Sequence, residues 1–251
     1  MAAVAAGMSG ATGQPVLILG GFLITAEAYE PMRALLASRI RQPVEVMAVG
    51  KVEWALTVFP FAWARILDRV AKAAERLAAA SPTGRITLVG HSSGGIMLRL
   101  FLDDRPFQGR RYGGRRWADT LVMLGSPHTA LKATALRRMV ERRLPGAFFT
   151  AEHPGRHGGH PVRYVSVAGD LDLADPGCGA TDLARRLAPP AYRNSTGDPN
   201  DRGDGLVPVS AALLEGSETV VLPGVAHGGA FGSTWYGSPE VVPRWWQALS
   251  R

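Results

Sequence analysis

Ile86-Thr87-Leu88-Val89-Gly90-His91-Ser92-Ser93-Gly94-Gly95 is the stretch from which the rest of the chain is best read. An apolar, partly β-branched run climbs to a glycine, a serine stands among small residues, and Ile96-Met97-Leu98-Arg99-Leu100 continues with helical composition. The pattern is strand–turn–helix with Gly90-x-Ser92-x-Gly94 at the bend, a nucleophile elbow. So sharp a turn strains the serine backbone, and its neighbours must be nearly free of side chain for strand and helix to approach. The serine Oγ is thereby raised above the sheet edge, with the next amide and the helix N-terminus aimed at any anion formed there.

Strand and helix signals alternate on both sides of this bend. Pro15-Val-Leu-Ile-Leu19 reads as a buried strand opening into Gly20-Gly21, followed by helical spacing from Ala26 to Arg41 and a strand over Val44 to Val49. A long helix is expected from about Phe61 to Ala80, with Trp63, Ile66, Leu67, Val70, Ala74 and Leu77 as its apolar stripe. Beyond the elbow helix, strands are expected at Thr120–Leu124, Val162–Ala168 and Glu218–Leu222, and a terminal helix over Glu240–Leu249. Asp172 to Arg202, with prolines at 189 and 190, reads as a polar excursion. Such alternation predicts an α/β fold, a mostly parallel central sheet with helices on both faces. The expected organisation is a flexible leader over 1–14, then one domain over 15–251 with a small helical cap or lid insertion at about 130–160.

Composition narrows the classes. Hydrophobic residues make up 46% of the 251 positions, enough for a substantial core and too many for a disordered chain. The formal charge of +7 comes mostly from arginine and suits acidic surfaces such as anionic lipid, or else a solvated exterior. Cys178 is the single cysteine, so no intrachain disulfide forms. No window has the apolar length of a membrane span, and the Ala/Gly-rich start lacks the basic region of a signal peptide, so a cytoplasmic protein is expected. The basic loop Arg105–Trp117, with Tyr112 and Trp117 interleaved, and the insertion are the expected points of any peripheral contact with an anionic membrane. Nothing resembles a nucleic-acid reading motif, and the oligomeric state is left open.

The chemistry-bearing residues follow the strands. A serine hydroxyl is a weak nucleophile until a base takes its proton, and a carboxylate must then fix the imidazole tautomer. His227, in a glycine-bordered loop after the last strand, is the expected base for Ser92. For the acid, Asp170 directly follows a strand, whereas Asp204 stands in Asp204-Gly-Leu-Val-Pro208 ahead of His227. The order Ser…Asp…His is that of α/β-hydrolases.

On Gly20-Gly-Phe22, Gly90-His-Ser-Ser-Gly94, Gly125-Ser-Pro-His128, Asp204-Gly-Leu-Val-Pro208 and His227-Gly-Gly229, the chain after residue 14 resembles the α/β-hydrolases, and within them the compact bacterial lipases and esterases. The resemblance implies a Ser92–His227–Asp204 triad acting on carboxylic esters, such as an acyl-lipid, through an acyl-enzyme. It favours Asp204 as the acid over the alternative Asp170, which would then cap or pair with an arginine. It implies an oxyanion hole from the backbone amides of Phe22 and Ser93, with Gly21, His91 and His128 lining the substrate pocket. Relatives often carry His-Gly where Gly20-Gly21 stands, so the turn lacks a bracing side chain. They also hold calcium with a carboxylate where Gly228-Gly229 stands, so no calcium and no other cofactor is expected. His153, His157 and His160 have no accompanying cysteine or paired carboxylate, so no metal is expected there either. The same site could serve a thioesterase, amidase or acyltransferase, and a binding protein on a hydrolase scaffold is a further alternative.

Overall fold

In the computed structural model, residues 13–129 and 162–250 are described. The cap expected at about 130–160, its histidines, and leader residues 1–12 lie outside them. Gln14, at the end of the expected leader, is buried and its side-chain amide donates to Asp119 at 2.9 Å.

The described strands are β1 (Val16–Leu19), β2 (Val44–Val46), β3 (Ile86–His91), β4 (Ala118–Leu124), β5 (Arg163–Asp170) and β6 (Glu218–Pro223). They form one six-stranded sheet in the order β2-β1-β3-β4-β5-β6, and every neighbouring pair is parallel. The α-helices among the described residues are α1 (Glu30–Ile40), α2 (Lys51–Ala55), α3 (Pro60–Ala80), α4 (Ser93–Leu102), α5 (Asp182–Ser195), α6 (Val209–Ala212) and α7 (Val242–Trp246).

Side-chain alternation along the strands divides the core. Leu17, Leu19, Leu88, Leu121 and Met123 pack with Trp63, Ile66, Leu67 and Val70 of α3 and with Met97 and Phe101 of α4. Their neighbours Val16, Ile18, Val89, Val122 and Val165 face the other way, onto Met32 and Leu36 of α1 and Trp245 of α7. A strand buried on both faces reads as an unbroken apolar run, which is why the central strands stand out in the sequence. The α/β class with helices on both faces is the observed architecture.

Three elements depart from expectation. β2 ends at Val46 rather than Val49, and the short α2 follows it. The terminal α7 starts at Val242 and passes into a 3-10 turn over Gln247–Ser250. The supposed excursion contains α5, capped by the Thr181 side chain accepting from the Ala184 amide, with Pro189 and Pro190 inside it.

The order of the strands matters for function. β1 lies between β2 and β3, so connections leave its C-terminal end and that of β3 in opposite directions. The crevice at such a reversal is where open α/β sheets bind ligands. The Gly20-Gly21 turn leaves β1 there, beside Ser92 at the end of β3.

Candidate active site

Ser92 adopts φ 53° and ψ −123°, a conformation an L-residue rarely holds, as the last residue before α4. Its amide donates to the Leu124 carbonyl at 2.9 Å, tying the bend to the end of β4. A Cβ on Gly90 would stand 2.4 Å from the Cα of Gly95, so helix and strand approach to backbone contact at the bend.

His227 brings the other candidates together. Its Nε2 lies 3.0 Å from Ser92 Oγ and its Nδ1 lies 2.8 Å from Asp204 Oδ2. Because the carboxylate only accepts, Nδ1 carries the proton and donates it, which leaves the Nε2 lone pair directed at the serine hydroxyl. The ring is nearly inaccessible at 2% exposure, and Asp204 is wholly buried.

Asp204 is held from several sides. Its Oδ1 accepts from the amides of Leu206 at 3.0 Å and Val207 at 2.8 Å, and its Oδ2 accepts from Tyr236 Oη at 2.8 Å as well as from His227. Tyr236 accepts in turn from the Gly169 amide at 2.6 Å. Burial, and then the adjacent Asp204, push the Tyr236 hydroxyl well above its usual pKa, so it stays a donor. Gly169 lies so close beneath the acid that a Cβ there would stand 3.0 Å from Asp204 Cβ.

Asp170 is elsewhere. It occupies the end of β5, but its carboxylate pairs with the Arg202 guanidinium. It borders a cavity of about 810 Å³ lined also by Asp172, Arg185, Tyr192 and Asp201, which no member of the Ser92–His227–Asp204 group lines. After the long excursion the chain returns to the same strand end, where the Leu171 amide donates to the Gly203 carbonyl at 2.7 Å. Asp204 is therefore displaced along the chain but not in space.

The proposed oxyanion donors lie around Ser92. Ser93 is the first residue of α4, where amides have no intrahelical acceptor. Phe22 is the second residue of a turn closed by the Ile24 amide on the Gly21 carbonyl at 3.1 Å, with Leu23 at φ 61°. The Phe22 amide takes no part in that closing bond. Gly21 is buried against the nucleophile, since a Cβ on it would stand 2.9 Å from Ser92 Cβ.

Two expected pocket residues are buried. His91 is fully buried, because alternation along β3 turns it to the face occupied by Val89, away from the open edge. Its ring nitrogens lie 2.7 Å from Tyr29 Oη and 2.8 Å from the His227 carbonyl. His128 is 3% exposed, and its Nδ1 accepts from Arg99 Nη1 of α4 at 2.9 Å. The aromatic rings of the basic loop are also turned inward. Tyr112 is buried with its hydroxyl on the Ala64 carbonyl, and Trp117 stacks on Phe101 beneath the Arg116 guanidinium.

Tyr29, Tyr192 and Tyr236 are contributors that the sequence does not single out. A buried tyrosine needs a partner for its hydroxyl, but nothing local tells which. Among the described residues no group of histidine, cysteine and carboxylate side chains is arranged to hold a metal ion, and no helix is long and apolar enough to cross a membrane.

No protein-family profile matches the chain, and no curated protein matches it in sequence. Solved structures do resemble it. A gene product of Listeria innocua is 14% identical, with 92% of this chain and 91% of that one covered and a TM-score of 0.48. Esterase 2 of Thermogutta terrifontis is 14% identical over 94% of this chain and 80% of that one, with a TM-score of 0.46. Lipase B of Aspergillus fumigatus is 13% identical over 64% of this chain, with a TM-score of 0.39, and this chain spans only 39% of its length. The likeness concerns the overall fold, and the chemistry rests on this chain's own geometry.

Proposed function

We propose that the chain is a serine hydrolase that cleaves carboxylic esters through an acyl-enzyme. The observation that carries this reading is the His227 ring, which bridges Ser92 Oγ at 3.0 Å and Asp204 Oδ2 at 2.8 Å. A histidine so placed takes the serine proton as Oγ attacks the ester carbonyl carbon, and Asp204 stabilises the imidazolium that forms. The Ser93 and Phe22 amides donate to the oxyanion of the tetrahedral intermediate. Collapse breaks the ester C–O bond, and His227 returns its proton to the departing alkoxide. Water, deprotonated at the same Nε2, then attacks the acyl-Ser92 carbonyl; the acyl C–Oγ bond breaks, the acid leaves, and His227 returns the proton to Ser92 Oγ.

The surroundings favour an apolar substrate. Phe22 and Leu23 are each 45% exposed beside the oxyanion turn, and Phe22 packs edge-on against Trp54 of α2. Leu56, Phe59 and Phe61, which follow Trp54 along the chain, are exposed as well. An ester with an apolar acyl group suits that surface better than a charged one.

Turnover of p-nitrophenyl butyrate tests the reading. Ser92→Ala is expected to lower kcat by roughly 10⁴-fold or more, as loss of a nucleophile does elsewhere. Wild-type turnover in that variant would refute the assignment. Acyl-thioesters and anilides in the same assay separate an esterase from a thioesterase or amidase.

A further inference from the structure

Tyr29 and His91 touch both loops that serve Ser92. The Gly21 amide donates to Tyr29 Oη at 2.8 Å, Tyr29 Oη lies 2.7 Å from His91 Nδ1, and His91 Nε2 lies 2.8 Å from the His227 carbonyl. The carbonyl only accepts, so Nε2 carries the ring proton. In a neutral ring Nδ1 then accepts, and Tyr29 donates to it while accepting from Gly21. One direction of donation satisfies every member of the chain.

Resting on the hydrolase reading, we infer that Tyr29 and His91 are positioning residues: a buried relay that sets the oxyanion turn and the His227 main chain in register about Ser92. The relay begins next to the nucleophile, since His91 immediately precedes Ser92 on β3. It reaches the Gly20-Gly21 turn and the carbonyl of His227, the residue that precedes Gly228-Gly229. Gly20 is what admits it, because a Cβ there would stand 2.6 Å from the Tyr29 ring. The turn that lacks a bracing side chain is braced by Tyr29, the residue immediately before α1, through its hydroxyl. Displacing the Gly21 peptide would swing the next amide, that of Phe22, off the position of the oxyanion.

The relay works in one protonation state. A second proton on His91 would set an N–H against Tyr29 Oη, which already accepts from Gly21 and would lose the acceptor for its own hydrogen. Among the described residues, the titratable rings packed against it are Tyr29, His227 and Tyr236, and Trp235 packs beside them. Burial and the nearby His227 hold the His91 pKa well below 6.5, so the neutral form persists.

The test is steady-state hydrolysis of p-nitrophenyl butyrate by the wild type, Tyr29→Phe, His91→Asn and His91→Leu, assayed well below each melting temperature, with fluorophosphonate labelling of Ser92 in parallel. Tyr29→Phe keeps the ring and removes the hydroxyl. Its kcat is expected to fall by roughly 10- to 100-fold with KM within about twofold, since an oxyanion donor would be misplaced rather than deleted. His91→Asn offers an acceptor to Tyr29 and is expected to retain more kcat than His91→Leu. An unchanged kcat in Tyr29→Phe, or equal values in His91→Asn and His91→Leu, would overturn the relay while leaving the hydrolase reading intact. A wild type that neither turns over ester nor labels at Ser92 would overturn the hydrolase reading itself.

Discussion

Ser92 and Asp204 meet the same imidazole ring and are held there by opposite means. Ser92 is fixed by its own main chain: a positive φ of 53°, a glycine contact between strand and helix, and one hydrogen bond from its amide to the Leu124 carbonyl of β4. Asp204 is fixed by donors, namely the Leu206 and Val207 amides and the hydroxyl of Tyr236. A nucleophile set by backbone sterics needs only a few adjacent residues. An acid set by hydrogen bonds depends on groups gathered from β5, the loop after α5 and the segment following His227.

The difference can be broken first at the acid. Asp204→Asn presents an amide where His227 Nδ1–H now donates, which favours the opposite tautomer and turns an N–H toward Ser92. Turnover of p-nitrophenyl butyrate is expected to drop by roughly 10⁴-fold, as carboxylate-to-amide changes do in such triads. A loss of less than tenfold would mean that another carboxylate serves His227.

Tyr236→Phe loosens the acid without removing it. Gly169 N–H then loses its buried acceptor and Asp204 loses one donor, so denaturant unfolding is expected to show a loss of about 1–3 kcal/mol. Its kcat is expected to fall by less than that of Asp204→Asn. Unchanged stability would show that the hydroxyl is replaceable there.

His91 sharpens the comparison from the nucleophile side. Its pKa is depressed by burial in the folded state, so below about 6.5 the unfolded chain binds a proton that the folded chain does not. The stability held above that pH is therefore lost as pH falls through it, with a slope from this group approaching about 1.4 kcal/mol per pH unit. Unfolding curves between pH 7 and 5 are expected to be steeper in pH for the wild type than for His91→Gln. Parallel profiles would contradict the buried neutral ring.

The smallest effect is expected at Asp170. Asp170 is buried, but its partner Arg202 is 79% exposed, so solvent reaches the pair and Asp170→Asn is expected to change stability by about 1 kcal/mol. Its kcat is expected to stay within about threefold of wild type. A loss comparable to that of Asp204→Asn would reverse the assignment of the acid.

The same contrast explains what could be read from the residues alone. β3, its bend and α4 lie within one short stretch, and the need for a strained serine between glycines is written there. The central strands are legible because burial on both faces makes them continuous apolar runs. α5 was hidden by Pro189 and Pro190, although Thr181 as cap and Ala184, Ala188 and Tyr192 along one buried face signal a helix. Its Tyr192 hydroxyl accepts from the Gly205 amide at 2.8 Å, so the helix taken for an excursion supports the acid's loop. The place of His91 beside Ser92 does not by itself tell which side of the sheet it faces. That side is set by the pleat, and only alternation from Val89 would have revealed it.

The central claim is that His227 activates Ser92 and no other side chain. Intact-mass and peptide mapping after exposure to a fluorophosphonate tests it most directly. The account predicts one adduct per chain, on Ser92, absent in Ser92→Ala and much slower in His227→Gln. An unlabelled wild type, or an adduct on any other residue, would contradict it.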